Sequence, residues 1–235
     1  MAAHTARGLR RAELTSAEPW HSAAFHQELL GWRALPSHDG IDCWVGERRC
    51  ATIRDRRPAE RPGWSVLFSG TPEDAELTGP DESTANLARG RAQHGPFAPA
   101  PRRGEPCWVD LLTHDAERAD AFWTGALNWQ KSVTSTGETT YACHGRTVAA
   151  RRPPRLTGER GWLCYFAVGS VDLASNRVRE LGGEVVQWLP HPMLGEVVVV
   201  ADPHGAVHGL APHRQAWGHA VRAQPLSRAA SSPST

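Results

Sequence analysis

The sequence is short of lysine, tyrosine and methionine: 235 residues contain Lys131 alone, two Tyr and two Met. The remaining basic residues are arginine, and 26 basic residues face 25 acidic ones, for a formal net charge of +1. A chain so close to neutral has no global pull on nucleic acid or on anionic lipid. No apolar stretch approaches the roughly 20 residues that a membrane helix needs. The opening Met-Ala-Ala-His-Thr-Ala-Arg lacks the apolar core that follows the basic region of a secretory signal. These absences predict a cytoplasmic protein with neither a nucleic-acid nor a membrane partner. The five cysteines, Cys43, Cys50, Cys107, Cys143 and Cys164, form no C-x-x-C pair. That argues against a cysteine-built zinc site and predicts reduced, mostly buried thiols.

Tryptophan is what the chain has in excess, with ten Trp against five Phe. Otherwise the composition is ordinary for a globular protein, with 40% hydrophobic and 22% charged residues. The preference for Arg, Ala, Gly and Pro reads as the codon bias of a GC-rich genome. The length fits one large domain or two modest ones.

An internal repeat organises the chain. Residues 12–32, AELTSAEPWHSAAFHQELLGW, align with 109–129, VDLLTHDAERADAFWTGALNW. Glu13 falls on Asp110, Leu14 on Leu111, Phe25 on Phe122, Leu30 on Leu127 and Trp32 on Trp129. After a variable stretch, GWSVLF (63–68) aligns with GWLCYF (161–166). Each copy therefore opens with a strand followed by a helix.

Local chemistry fills in the second copy. Residues 107–113 alternate as a half-buried strand. Asp115 is placed to cap a helix with Ala119, Phe122, Trp123 and Ala126 at helical spacing, and Asn128 to stop it. Strands are predicted over 129–134, 138–143 and 146–151, with His144-Gly145 as a hairpin signal. The order then recurs: a strand over 163–168, a helix over 171–181 capped by Ser170 and ended at Gly182-Gly183, and strands over 184–189, 195–201 and 206–211. Asp202-Pro-His-Gly205 supplies the last turn. Residues 106–212 thus read as two βαβββ units. The first copy, 9–78, reads as partial, with a short helix near 72–77. The Pro- and Gly-rich 79–105 reads as a linker and 213–235 as a disordered tail.

PCWVDLLTHDAERADAFWTGALNW, WLCYFAVGSVDLASNRVRELGGEV and GEVVVVADPHGAVHGL, in this order and spacing, resemble the vicinal oxygen chelate superfamily. Its members include glyoxalase I, bleomycin-resistance proteins and extradiol dioxygenases, and the likeness is greatest to tandem actinobacterial glyoxalase-like proteins. The resemblance implies an α+β fold in which paired βαβββ modules curl a mixed sheet into a cup. It also implies where a metal would be held in metal-dependent members: on the first strand of each module and on the last. Those positions fall here on Trp108, Leu163 and Gly209, and on Arg11 in the partial copy. None is a ligand for a divalent ion, so neither a metal nor another cofactor is expected.

Alternation places Trp108, Asp110 and Leu112 on one face of the first strand, and Leu163, Tyr165 and Ala167 on one face of the fifth. Asp110 has two readings. It is either a carboxylate whose raised pKa suits it to general-base work, or an anion paired with an arginine that holds the strand in register. Tyr141 and Tyr165 either offer a hydrogen bond to a ligand oxygen or belong to the core. Trp108, with Trp44 and Trp188, is a candidate stacking surface, whereas Trp32, Trp123 and Trp129 belong to packing positions. His204 and His208 lie near the last turn, flanked by His191 and His213. Parity turns His208 away from the face of Gly209, so no rebuilt metal site is expected. His21 and His26 read as surface or packing residues, and Arg151–Arg155 as a solvated strand end.

The expected function is binding of a small aromatic or polycyclic metabolite in a Trp-lined cup built from Trp108, Leu112, Tyr141, Leu163, Tyr165 and Gly209. The alternative is a metal-independent lyase, isomerase or hydrolase of secondary metabolism with Asp110 as base. The open edge of a partial sheet further suggests a homodimer.

Overall fold

A computed structural model describes residues 7–57, 60, 62–70, 74–80, 82–154 and 160–219. The chain forms two mixed sheets. The first contains β1 (Leu9–Ser16), β2 (Arg33–Ser37), β3 (Gly40–Val45), β4 (Arg48–Asp55), β5 (Gly63–Ser69), β6 (Ala75–Thr78) and β7 (Thr84–Ala88), with α1 (Pro19–Leu30) after β1. The second contains β8 (Pro106–Leu112), β9 (Gln130–Val133), β10 (Thr139–Cys143), β11 (Arg146–Arg152), β12 (Gly161–Val168), β13 (Glu184–His191), β14 (Gly195–Ala201) and β15 (Val207–Pro212). Helix α2 (Ala116–Leu127) follows β8, and α3 (Val171–Glu180) follows β12. The result is the α+β architecture of paired βαβββ modules. Among the described residues no helix is long and apolar enough to cross a membrane.

The two sheets share one strand plan. Their orders are β2-β3-β4-β1-β5-β7-β6 and β13-β14-β15-β12-β8-β11-β10-β9. In each, the opening strands of the two modules pair antiparallel at the centre, β1 with β5 and β8 with β12. The first copy is fuller than its sequence suggests. The stretch expected to be a linker supplies β7, which pairs parallel with β5 and antiparallel with β6. Residues 75–77 of the expected short helix belong to the edge strand β6 instead; 72 and 73 lie outside the described residues. Part of the connection between the parallel strands β5 and β7 is thus itself an extended strand, paired with β7.

Local signals act as read. Asp115 accepts a hydrogen bond from the Arg118 N–H at 3.2 Å and Ser170 one from the Leu173 N–H at 3.3 Å, capping α2 and α3. Asn128 ends α2 in the left-handed region at φ 50°.

The helix-covered faces of both sheets pack against each other in one core, which draws Leu14, Ile53 and Phe68 together with Leu111, Trp123 and Phe166. The tryptophan excess is explained largely here. On one side α1 meets α3, with Glu28 and Arg177 paired at 2.6 Å. Beside α2, which meets no second helix from the first copy among the described residues, Trp123, Trp129, Trp162 and Phe68 pack edge to face at centroid separations of 5.0–6.1 Å. The indole N–H groups of Trp32 and Trp129 cross between copies, each donating at 2.7 Å to the carbonyls of Gly104 and Arg7. All five cysteines are free and buried, and burial pushes the Cys43 thiol up to about 12, which leaves it an inert packing group.

Candidate functional site: a carboxylate network in the second sheet

The face of the second sheet opposite the helices carries the chemistry. Register does the positioning. Leu163 stands beside Asp110, Tyr165 beside Trp108, Ala150 beside Asp110 and Arg152 beside Leu112. Alternation along β8 turns Val109 and Leu111 into the shared core and leaves Trp108 and Asp110 on the opposite face, as the sequence predicts.

Asp110 is the centre of a buried network. Its Oδ1 accepts the Trp108 indole N–H at 2.9 Å, and its Oδ2 accepts the Tyr165 hydroxyl at 3.1 Å. His191, from β13, lies with Nε2 3.0 Å from Oδ2 and 3.2 Å from Oδ1. The Met193 backbone N–H donates to His191 Nδ1 at 3.1 Å. That assigns the ring hydrogen to Nε2 and makes His191 a donor to the carboxylate. Arg152 Nη1 is 3.7 Å from Oδ2, within ion-pair range but beyond a hydrogen bond. Asp110 and His191 have no exposed side-chain surface.

These neighbours decide the charge state. Burial alone would lift the Asp110 carboxyl, but His191, Arg152 and the Trp108 N–H outweigh it and hold the group below its ordinary value. The raised pKa that would suit a general base is therefore absent, because the donors stabilise the anion more than burial penalises it. Burial and the adjacent Asp110 push the Tyr165 phenol well above its usual range, so it stays a donor.

Much of the face is filled. Leu189, Met193, Leu194, Val197, Val199 and Trp217 pack with Trp108 and Tyr165. Trp217, in the segment expected to be a disordered tail, is 6% exposed; Arg214 ties that segment to the carbonyls of Met193 and Leu194 at 3.3 and 2.7 Å. Residues 220–235 lie outside the described residues. What stays open is a cleft of about 20 Å³ at the Leu112 end. Leu112, Leu163, Leu189 and Val199 form its apolar walls, and Asp110, Tyr165, Arg152 and Gln187 its polar lining. A larger groove of about 320 Å³ lies between α1 and α3 around Leu29, Leu173 and Arg177. It is a shallow junction between copies, away from the carboxylate network.

Of the residues predicted to build the site, Asp110, Leu112, Leu163 and Tyr165 meet at this cleft. Trp108 is fully buried beneath it and so presents no stacking surface; its indole N–H is directed to Asp110. Tyr141 lies on the helix-covered side, where its hydroxyl donates to Asp120 Oδ1 at 2.6 Å. Gly209 is buried against the Tyr165 ring. Trp188 is partly exposed on β13, next to but facing away from Gln187 and Leu189. The cup is thus walled by Leu and Val rather than Trp. Sequence reasoning missed Arg152, Gln187, Leu189, His191 and Val199. Alternation along β13, which groups 187, 189 and 191, was the available signal. Arg151 and Arg152 are not a solvated strand end either: Arg151 Nε reaches Asp120 at 2.7 Å on one face and Arg152 reaches Asp110 on the other. Arg155 lies outside the described residues. His208 does turn away from the face of Gly209, into a box with His26, Trp64 and Phe166.

The glyoxalase-like domain family model matches residues 107–211, which is the span of the second sheet. This segment is therefore similar to a glyoxalase-like domain. The chain is 34% identical over 137 residues to the anthracycline biosynthesis protein DnrV of Streptomyces peucetius, covering 48% of this chain and 47% of that protein. It therefore spans about half the length of the curated relatives it matches. Solved structures share the fold across nearly the whole chain. The 2,2',3-trihydroxybiphenyl 1,2-dioxygenase of Sphingomonas wittichii RW1 superposes with a TM-score of 0.60 at 15% identity, over 92% of this chain and 93% of that one. The Mn(II)-bound glyoxalase of Novosphingobium aromaticivorans does so with 0.61 at 13%, over 88% and 83%. At such identities the likeness concerns the fold.

The metal positions of the vicinal oxygen chelate superfamily do not fit a metal here. Trp108 offers only a donor, already used, and Leu163 is apolar. At Gly209 a Cβ would stand 2.1 Å from Tyr165 Cδ1, so the ring occupies the space that a ligating side chain would need. Among the described residues no group of three or more His, Cys, Asp or Glu is placed to hold an ion.

Proposed function

We propose that the glyoxalase-like domain binds a small, flat, largely apolar metabolite at the Leu112 end of its cup, without a metal at the superfamily's positions. The observation that carries this reading is the cleft itself, with four aliphatic walls set above a buried and fully bonded carboxylate. The likeness to DnrV supports a ligand of the aromatic polycyclic class. With a recess of about 20 Å³, only one edge of such a molecule enters, and the rest lies over the rim at Leu112 and Gln187. Binding is favoured over catalysis by Asp110, because both of its oxygens already accept hydrogen bonds and its protonation is suppressed. In this reading Asp110 holds the shape of the site.

Calorimetry and tryptophan quenching with a panel of planar aromatic ketones and hydrocarbons test the proposal. Binding to the native protein is expected, with loss in Leu163→Arg, which places a charge in the apolar wall. Absence of binding by every panel member, or equal binding by the variant, sinks the reading. Metal analysis of protein purified without chelator is expected to find well under one equivalent; a stoichiometric transition metal overturns the metal-free part.

A further inference from the structure

Resting on the cleft as a binding site, we infer that it selects ligands by a neutral carbonyl oxygen, received by the guanidinium of Arg152. Three observations converge. The first is an unused donor. Arg152 lines the cleft with its side chain 13% exposed, and its buried Nη1, 3.7 Å from Asp110, has no hydrogen-bond partner among the described residues. A buried N–H without an acceptor is costly, so a small turn of the guanidinium that brings it to a ligand oxygen at the cleft is favoured. The other unpartnered buried groups, such as Trp64 Nε1, Trp123 Nε1 and His208, belong to residues that line neither of the cavities described above.

The second observation is charge. Arg152 sits 3.7 Å from the Asp110 carboxylate, which is held ionised by its donors. The pair is neutral as it stands. A carboxylate or phosphate brought to Nη1 would also be brought against Asp110, and in so dry a site that repulsion is strong. A ketone, quinone or amide oxygen accepts the N–H without adding charge. The Tyr165 hydroxyl is directed to Asp110, which leaves the Gln187 amide and Arg152 as donors at the cleft, and of these Arg152 carries the buried N–H without a partner.

The third is size. The recess is small, about 20 Å³, so a group that leads with a single oxygen enters it more readily than a branched carboxylate or a tetrahedral phosphate. The walls of Leu112, Leu163, Leu189 and Val199 then meet the apolar body that flanks the carbonyl. Arg152 is accordingly a specificity-determining residue, and the ligand class is an apolar ring system with a carbonyl on its edge.

The test uses the full chain and three bicyclic probes of one ring skeleton, 1-indanone, indane and indane-1-carboxylate, titrated by ligand-observed NMR below the solubility limit of indane. The native protein is expected to bind the ketone about tenfold more tightly than either of the others. In Arg152→Met the preference for the ketone is expected to fall below about twofold. The carbonyl stretch of bound indanone is expected at lower wavenumber in the native protein than for the ketone in an alkane solvent. That measurement and the native ranking stand even if the variant fails to fold. Equal binding of ketone and hydrocarbon overturns the carbonyl inference and leaves the binding reading intact. So does an unshifted stretch, tightest binding of the carboxylate, or an undiminished preference in a folded Arg152→Met. Failure of both indanone and indane to bind overturns this inference, and the same failure across the whole panel of planar ketones and hydrocarbons overturns the binding reading itself.

Discussion

The central strand of each sheet carries a carboxylate at the same repeat position, and the two sheets treat it in opposite ways. Glu13 on β1 accepts from Arg11 Nη2 at 3.0 Å and from Asn86 at 2.8 Å, with its side chain 18% exposed. Asp110 on β8 is fully buried and accepts from an indole, a phenol and an imidazole. What differs is the enclosure. The second sheet has a complete second module, so β13 curls over and delivers Leu189 and His191 across the face. The first sheet stops at β6, and nothing equivalent to β13 is found among its described residues. A shared sequence position thus becomes a partly wet ion pair in one copy and the keystone of a dry network in the other. A carboxylate's role follows from what the rest of its sheet brings over it.

The contrast is open to attack by substitution. Asp110→Ala leaves His191, Tyr165 and Trp108 without an acceptor and Arg152 without its counter-ion. A loss of about 3–5 kcal/mol in chemical denaturation is expected, against less than about 1 kcal/mol for Glu13→Gln. Equal losses would erase the distinction between the two sheets. Gly209→Ala pushes a methyl group into the Tyr165 ring and is expected to cost about 1–3 kcal/mol. The same change made in a Tyr165→Ala background should cost clearly less, and an unchanged cost would mean that the ring does not occupy that space.

The junction between the copies adds an acid-sensitive element. Burial lowers His26 to about 4 and puts His208 well below its ordinary 6.5. Since the unfolded chain takes up these protons first, stability is expected to fall as pH drops from about 6.5 towards 4. The slope is at most about 1.4 kcal/mol per pH unit for each histidine. Asp110 acts in a lower window. Its depressed folded value contributes stability above the ordinary 3.8 that is lost only as pH falls further. Denaturation midpoints of His208→Phe between pH 7 and 4 should show a shallower decline than the native protein; parallel curves would assign the acid sensitivity elsewhere.

Part of this was legible from residues alone. The repeat of Glu13 with Asp110 and Trp32 with Trp129, the caps at Asp115 and Ser170, and the two-residue period of β8 and β12 are local, and local signals survive folding. The same period put Asp110, Leu112, Leu163 and Tyr165 on one face, where the cleft is. Strand β7 was hidden because its short run lies among Pro and Gly, and it is a strand only through pairing with β5. Tyr141 was misplaced because its partner Asp120 lies on a helix that periodicity does not relate to it. Trp217 was missed because a polar terminal segment has no period, and only the cup gives its ring a place.

The sequence by itself determined the module plan, the faces of the central strands and the replacement of the superfamily's ligand positions by Trp108, Leu163 and Gly209. Those follow from short-range spacing and from the identity of single side chains. The tertiary structure decided that Asp110 is an ionised keystone, that Arg152 and His191 belong to its network, and that the cup is aliphatic and nearly closed. Each of these depends on side chains far apart in the chain meeting at distances of about 3 Å, where burial and hydrogen bonding outweigh residue type.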